Sequence, residues 1–443
     1  MPEHAAPADA PRPTIVPTMN RFLHGHATHA DWRVALALAA AQIEAQRHAP
    51  GHAATSTLGW VYLTDALAPH AEALLGELRQ RWPGVEWVGA TGVGIAAAGV
   101  EYFDGPALAL MLTDLAPARF RVFSGARPLT GFAAHTANVH ADPSAADLAE
   151  LIHDMSARTA TGYLFGGLAS APSRPLHIAG NALAGGLSGV AFDRGVALVS
   201  RVTQGCQPVG PQRTVTAAER NLVTALDGEP ALDCLLRDID LHGVDLRSAL
   251  PRLRQVLVGL SDAAEAMAPR EDASTRSAFD TIARHGNTAR AFGADTRVRH
   301  LVGLDPARRG IAIADTAEAG MRLAFCARHV EAARRDLMRI CAEIREEVES
   351  EELPQRSALA LKGAPGADTG AAPSTGIAGA IYISCAGRGG AHFGAPSAEL
   401  AIVRHALGDV PLVGFFAGGE IARRHLYGYT GVLTVFRRGG DAA

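Results

Sequence analysis

Two pieces, IYISCAGRGGAHFG (Ile381 to Gly394) and VPLVGFFAGGEIARRHLYGYTGVLTVF (Val410 to Phe436), decide the reading of this chain. An apolar strand runs straight into Cys385, Gly387, Arg388 and Gly389. A second runs into Gly414, Phe415, Gly418, Gly419 and Glu420, with a helical run between them. Strand ends at corresponding edges of a parallel sheet point into one crevice. Two glycine-rich ends carrying an Arg, a Cys, aromatics and carboxylates can build a polar pocket on an apolar frame.

The same pattern occurs earlier. VEWVGATGVG (Val85 to Gly94) shares Val-x-x-Val-Gly with VPLVGFFAGG, and each follows a strand and a helix and precedes another apolar strand. An internal duplication is one reading, and coincidence in a Gly/Val/Ala-rich sequence is the other. Leu58–Thr64, the helical spacing of Leu74, Leu75 and Leu78, and the strand from Val85 form a strand–helix–strand unit, which implies a parallel crossover. Further strands are expected at Ala107–Thr113, Arg119–Phe123, Tyr163–Phe165 and Val196–Val202, and a helix at Ser144–Ala160. In the second half a helix is expected at Pro230–Asp238, then strands at Arg297–Leu304, Ile311–Ala314 and Met321–Ala327. An amphipathic helix follows at His329–Glu349, its stripe made by Val330, Leu337, Ile340, Cys341, Ile344 and Val348. The expected class is α/β (or α+β): two mixed-sheet domains with flanking helices. The divisions are a disordered 1–18, domains at 19–215 and 216–437, a flexible surface loop at 349–377 within the second, and a tail at 438–443.

Composition narrows the function. At 443 residues with 48% apolar content, two or three domains are expected. A net charge of -4 and 5% aromatics give neither a field nor a stacking surface for nucleic acid. The one lysine, Lys362, is followed by Gly-Ala, which excludes a Walker loop. Five scattered cysteines without a Cys-x-x-Cys suggest neither a disulfide framework nor a cysteine zinc site. No secretory signal or membrane-length apolar run is legible, so a soluble, cytoplasmic protein is expected.

The C-terminal stretch resembles the C-terminal FIST domain, a sensory module of bacterial signalling proteins. The resemblance rests on the Cys-x-Gly-Arg-Gly turn, Phe393-Gly394, Glu399, Gly414-Phe415-Phe416, Gly419-Glu420-Ile421 and Tyr429-Thr430. The first half is similar to the N-terminal FIST domain through LHGHATHADWRVAL, Gly89 to Gly94, Phe165 to Ala169 and Gly205 to Leu226. The resemblance implies a small-ligand-binding sensor of amino acids or related metabolites. Its signal would pass to a separate protein such as a histidine kinase, cyclase or chemoreceptor, because family members that carry their own output domain do so on the same chain and none is legible here.

The candidate ligand-binding residues are Cys385, Arg388, Gly389, Phe393, Glu399, Gly414, Phe415 and Glu420, with Thr91, Gly92, Gly166 and Gly167 on the first half's turns. A guanidinium between glycines can present its fork to a carboxylate. The alternative for Arg388 is an ion pair with Glu399 or Glu420. Glu420 could hold an ammonium group, so that a zwitterion would suit the pair. Gly89–Gly94 lacks the acid that a dinucleotide fingerprint requires on the next strand. Cys385 could be a nucleophile with His392 or His405 as base, but no triad is recognisable and catalysis is not expected. His24, His26 and His29 could bind a metal, or one of them a haem in a nitric oxide sensor. An exposed, histidine-rich loop is the simpler reading.

Overall fold

The computed structural model describes residues 20–53, 55–241, 246–262, 296–361 and 376–438. The stretch 1–18, Lys362 and the tail beyond Arg438 lie outside them. The chain opens with β1 (Leu23–Thr28), α1 (Trp32–Arg47), β2 (Leu58–Thr64), α2 (Ala71–Arg81), β3 (Glu86–Gly92), the hairpin β4 (Gly94–Ala97) and β5 (Val100–Phe103), and β6 (Ala107–Thr113). It continues through β7 (Phe120–Phe123), β8 (Thr136–Ala141), α3 (Leu148–Ala157), β9 (Tyr163–Leu168), the hairpin β10 (His177–Ala179) and β11 (Asn181–Leu183), β12 (Leu187–Phe192) and β13 (Leu198–Gln204).

An inserted region follows. It holds β14 (Cys206–Pro208), β15 (Arg213–Glu219), β16 (Leu222–Leu226), β17 (Glu229–Pro230), α4 (Ala231–Asp238), α5 (Leu246–Leu253), β18 (Leu257–Ser261), β19 (Arg297–Asp305), β20 (Gly310–Ile313), β21 (Arg322–Arg328) and α6 (Val330–Leu361). The chain closes with β22 (Ile377–Cys385), α7 (Ala398–Leu407), β23 (Leu412–Ala417), the hairpin β24 (Glu420–Arg423) and β25 (His425–Tyr427), and β26 (Thr430–Arg437).

Outside the insertion the pairing repeats three times. The sheets run β1-β6-β2-β3-β10-β11, β7-β12-β8-β9-β24-β25 and β13-β26-β22-β23-β4-β5. Each contains one strand–helix–strand crossover, β2-α2-β3, β8-α3-β9 or β22-α7-β23, whose two strands are parallel. Each is completed by a hairpin lent from another unit: the first gives β4–β5 to the third sheet, the third gives β24–β25 to the second, and the second gives β10–β11 to the first. The duplication read from sequence is therefore real, and it is one pair of a threefold set.

Register proves the equivalence. Gly89 pairs with Val61, Gly166 with Val139 and Gly414 with Tyr382, at the same place in each crossover. A Cβ at any of the three would overlap the carbonyl oxygen of that partner. Glycine recurs there because two backbones approach too closely for a side chain.

The inner faces of the three sheets enclose one core, with Trp60, Tyr62, Phe165, Phe192, Phe415 and Phe436 among its buried aromatics. Polar groups pair across the sheets there: Trp60 Nε1 donates to Asn138 Oδ1 at 3.1 Å and Tyr62 Oη lies 3.0 Å from His140 Nε2. The helices cover the outer faces, α1 and α2 on the first sheet, α6 and α7 on the third.

The insertion is a separate barrel. β15, β16, β20, β19, β18 and β21 pair in a ring, since β18 and β21 also join. Val215, Val223, Leu235, Val258, Ile311 and Phe325 fill it. α6 then carries the chain back across the third sheet, burying Leu337, Ile340, Ile344 and Val348.

Strands from both sides of 215/216 share sheets, because every unit takes a hairpin from another. The expected loop 349–377 is helical as far as Leu361, since α6 continues past Glu349, and 362–375 lie outside the described residues.

Candidate functional site

The third unit places its polar residues at the carboxyl ends of β22 and β23, beneath the barrel. Arg388 follows the turn after Cys385, where its backbone N–H donates to the Cys385 carbonyl. Its side chain is 0% exposed. Nε and a terminal nitrogen donate to Glu399 Oε1 at 3.0 and 2.9 Å. Glu399, also fully buried, accepts from Tyr382 Oη at 2.6 Å and Ser384 Oγ at 3.1 Å. The guanidinium carbon stands 5.2 Å from the Phe393 ring centroid. Burial alone would lower the Arg388 pKa, but the Glu399 charge holds it well above the usual value.

Arg388 is thus neutralised within the protein, by Glu399 rather than by Glu420. The sequence alternatives resolve toward the ion pair, and the fork is not free for a ligand. Gly389 lies where a Cβ would strike the rings of Phe103 and Phe416, so it packs rather than contacts.

Glu420 is the second buried acid. Its Oε2 accepts from Thr430 N at 3.1 Å and Thr430 Oγ1 at 2.6 Å. Its Oε1 is buried and has no hydrogen-bond partner among the described residues. Burial lifts its pKa to about 8, against the pull of the Thr430 bonds, of Arg388 and of the Cys385 thiol, which stands close enough to the carboxyl to donate a weak hydrogen bond. At neutral pH it is mostly a carboxylic acid. Beside it, burial and then the Glu420 charge push the Cys385 thiol up to about 12, which leaves it protonated and a weak nucleophile. His392, considered as its base, is lowered to about 4 by burial and by Arg328 and Arg388.

Gly167 faces Glu420 across the β9–β24 pair. A Cβ there would press on Ala417 and Ile383 at 2.8 Å, so the close approach requires glycine. The remaining candidates are packing positions. Gly166 and Gly414 are the crossover glycines. Phe415 is fully buried and stacks on Tyr62 with 5.3 Å between centroids. Gly92 abuts Phe415, and Thr91 Oγ1 accepts from Leu176 N at 2.8 Å.

Three residues outside the candidate list, Tyr429, His300 and Arg328, complete the site. Tyr429, half-buried, sits at φ 61° between Glu420's partner Thr430 and the barrel. Its Oη lies 2.8 Å from His300 Nε2 on β19. The Arg328 guanidinium stands 5.5 Å from its ring centroid and donates to the Gly387 carbonyl. Cys206, Leu257, Val298 and Cys326 pack behind the ring. A bulky residue in the left-handed region is a strained position, and such strain gathers at functional sites. The Tyr429-Thr430 pair is visible in the sequence; its barrel partners are not, because they lie some hundred residues away.

The histidine-rich segment lies elsewhere. His24 and His26 alternate on β1; His29 Nδ1 accepts from Asp31 N at 3.0 Å. No group of three His, Cys, Asp or Glu among the described residues could hold a metal ion. His24 and His26 border a cleft of about 320 Å³.

Comparison with known proteins gives the family. The FIST N domain matches residues 57–229 and the FIST C domain residues 231–423. This chain belongs to the FIST family, whose domains are taken as small-ligand-binding sensory modules of signal transduction. An uncharacterized protein of Mycobacterium tuberculosis is 28% identical over 369 residues, covering 79% of this chain and 83% of its own. An uncharacterized protein of Mycobacterium bovis is 30% identical over 248 residues, covering 55% of this chain and 50% of its own. No described helix is long and apolar enough to cross a membrane.

Proposed function

We propose that this protein is a cytoplasmic sensor that binds an amino acid or a related amine-bearing metabolite where the body meets the barrel, and passes the signal to a separate protein such as a histidine kinase, cyclase or chemoreceptor. One observation carries the reading. Glu420 is fully buried, its Oε1 has no hydrogen-bond partner among the described residues with only the weakly donating Cys385 thiol beside the carboxyl, and its pKa stands at about 8. A buried acid with an unsatisfied oxygen is costly unless something completes it. A ligand ammonium would do so: its charge favours the ionised carboxylate, the carboxyl proton leaves to solvent, and a charge-assisted bond forms.

The carboxylate of such a ligand would turn to Arg328, not Arg388. Arg388 is consumed by Glu399. Arg328 is exposed and is held over Tyr429 on the rim of the same turn. Because Arg328 and His300 belong to the barrel and Glu420 to the body, a ligand touching both would alter how the two pack. That supplies the differential contact that any ligand-driven change requires.

A thermal-shift screen of the amino acids, against wild type, Glu420→Gln and Arg328→Gln, tests this. At least one amino acid should raise the wild-type melting temperature and fail to raise that of either variant. Stabilisation that persists in Glu420→Gln, or none from any amino acid, overturns the assignment.

A further inference from the structure

The cleft of about 320 Å³ beside β1 lies outside the junction and has no role in the reading above. It is at the small end of the ligand-pocket range of about 300–1,000 Å³. Leu400, Val403 and Leu407 on α7, with Leu412, form an apolar wall. Arg21, Arg404, Asp409, His24 and His26 form the rim.

The rim is organised. Arg404 Nε donates to Asp409 Oδ1 at 2.6 Å, and Arg21 donates to the Asp409 carbonyl oxygen. Both guanidinia are therefore anchored at one point. The bond to Asp409 is made by Nε of Arg404 and not by its terminal nitrogens. Gly99 lets its stem lie close, since a Cβ there would come 2.9 Å from Arg404 Cδ. His26 Nδ1 is fixed 2.6 Å from Tyr102 Oη. Burial lowers the pKa of both histidines, that of His24 to about 4, so they are neutral donors or acceptors at neutral pH. Two arginines against one aspartate leave the rim net positive.

We infer that this cleft is a second ligand site, taking a small monocarboxylate with an apolar body: the carboxylate on Arg404 and Arg21, the body on the α7 wall. The charge excludes an amine. The apolar wall disfavours a compact, strongly hydrated anion such as phosphate. The site also has a route to the ion pair of the third unit, because Glu399 and Leu400 are adjacent on α7.

Benzoate is the probe, with benzyl alcohol as its uncharged counterpart. Calorimetric titration of the full chain should show saturable benzoate binding, and the His26 ring resonances should shift with it. Benzyl alcohol should bind at least about tenfold more weakly. Arg404→Gln should weaken benzoate by a similar factor, while Asp409→Asn, which removes the rim's only acid, should tighten it. Both positions are exposed, so neither change threatens the fold. No benzoate binding, equal binding of the alcohol, or affinity unmoved by both substitutions overturns the proposal. Because the probe carries no ammonium group, failure here leaves the junction reading untouched, and the reverse holds as well.

Discussion

Arg388 donates twice to one carboxylate oxygen and has no exposed surface. Removing one member of a buried pair strands the other charge, at a cost of about 3–5 kcal/mol. Arg388→Ala should lower the midpoint of urea unfolding by that amount without any ligand present; a midpoint unchanged from wild type would restore Arg388 as a ligand group. Glu420 makes the opposite kind of prediction. Its folded pKa of about 8 lies above the ordinary glutamate value of 4.5. The stability contributed by the protonated form is therefore complete below pH 4.5 and is lost as pH rises through about 8. Glu420→Gln keeps the shape and removes the titration. Its melting temperature should fall less than that of wild type between pH 5 and pH 9, and parallel profiles would refute the shifted acid. The legibility of these residues differs for a physical reason. Arg388 and Glu399 lie a few turns apart in one unit, so their pairing could be foreseen as an alternative. Arg328 and His300 reach the site only because the barrel docks there, and no local pattern encodes docking.

The crossover is the element that repeats. Gly414→Ala would put a methyl group into the Tyr382 carbonyl oxygen, so the β22–β23 pair must part. Loss of soluble folded protein, or destabilisation above about 3 kcal/mol, is expected. Gly76, in the middle of α2, is the control: nothing lies within 4 Å of its would-be Cβ. Gly76→Ala should stabilise by about 0.5–1 kcal/mol through helix propensity. Equal tolerance of both changes, measured by chemical denaturation, would contradict the steric account. Two of the three crossovers were legible, because EWVGATG and PLVGFFA share apolar residues around the same glycine. The middle one escaped. Its first strand, TANVHA, carries Asn138 and His140, polar residues that face partners on another sheet and dilute the apolar signal. Its hairpin, HIAGNAL, reads as turn chemistry rather than as strands.

At the scale of the molecule, three exchanged hairpins lock the body into one cooperative unit. No third of it retains a complete set of sheets when the rest is removed. A fragment of residues 20–229, the N-terminal part of the chain, would leave β9 without β24 and the β4–β5 hairpin without β23. Such edges invite aggregation. The fragment should give a poorly dispersed amide spectrum or aggregate; a well-dispersed monomer would contradict the interlocked topology. The fold class was open to sequence because alternating strands and helices are local patterns. The exchange was not, since it concerns which strand pairs with which over the whole length.

A ligand that bridges Glu420 on this locked body and Arg328 on the barrel would sense through their junction, and proton counting addresses that most directly. Calorimetric titration of the best amino acid from the screen, at pH 7 in buffers of different ionisation enthalpy, gives the protons exchanged on binding. An ammonium group that ionises a carboxyl poised at about pH 8 should release close to one proton per ligand bound. That release should vanish with Glu420→Gln. Tight binding with no proton released, or the same release from the Gln variant, would contradict the account.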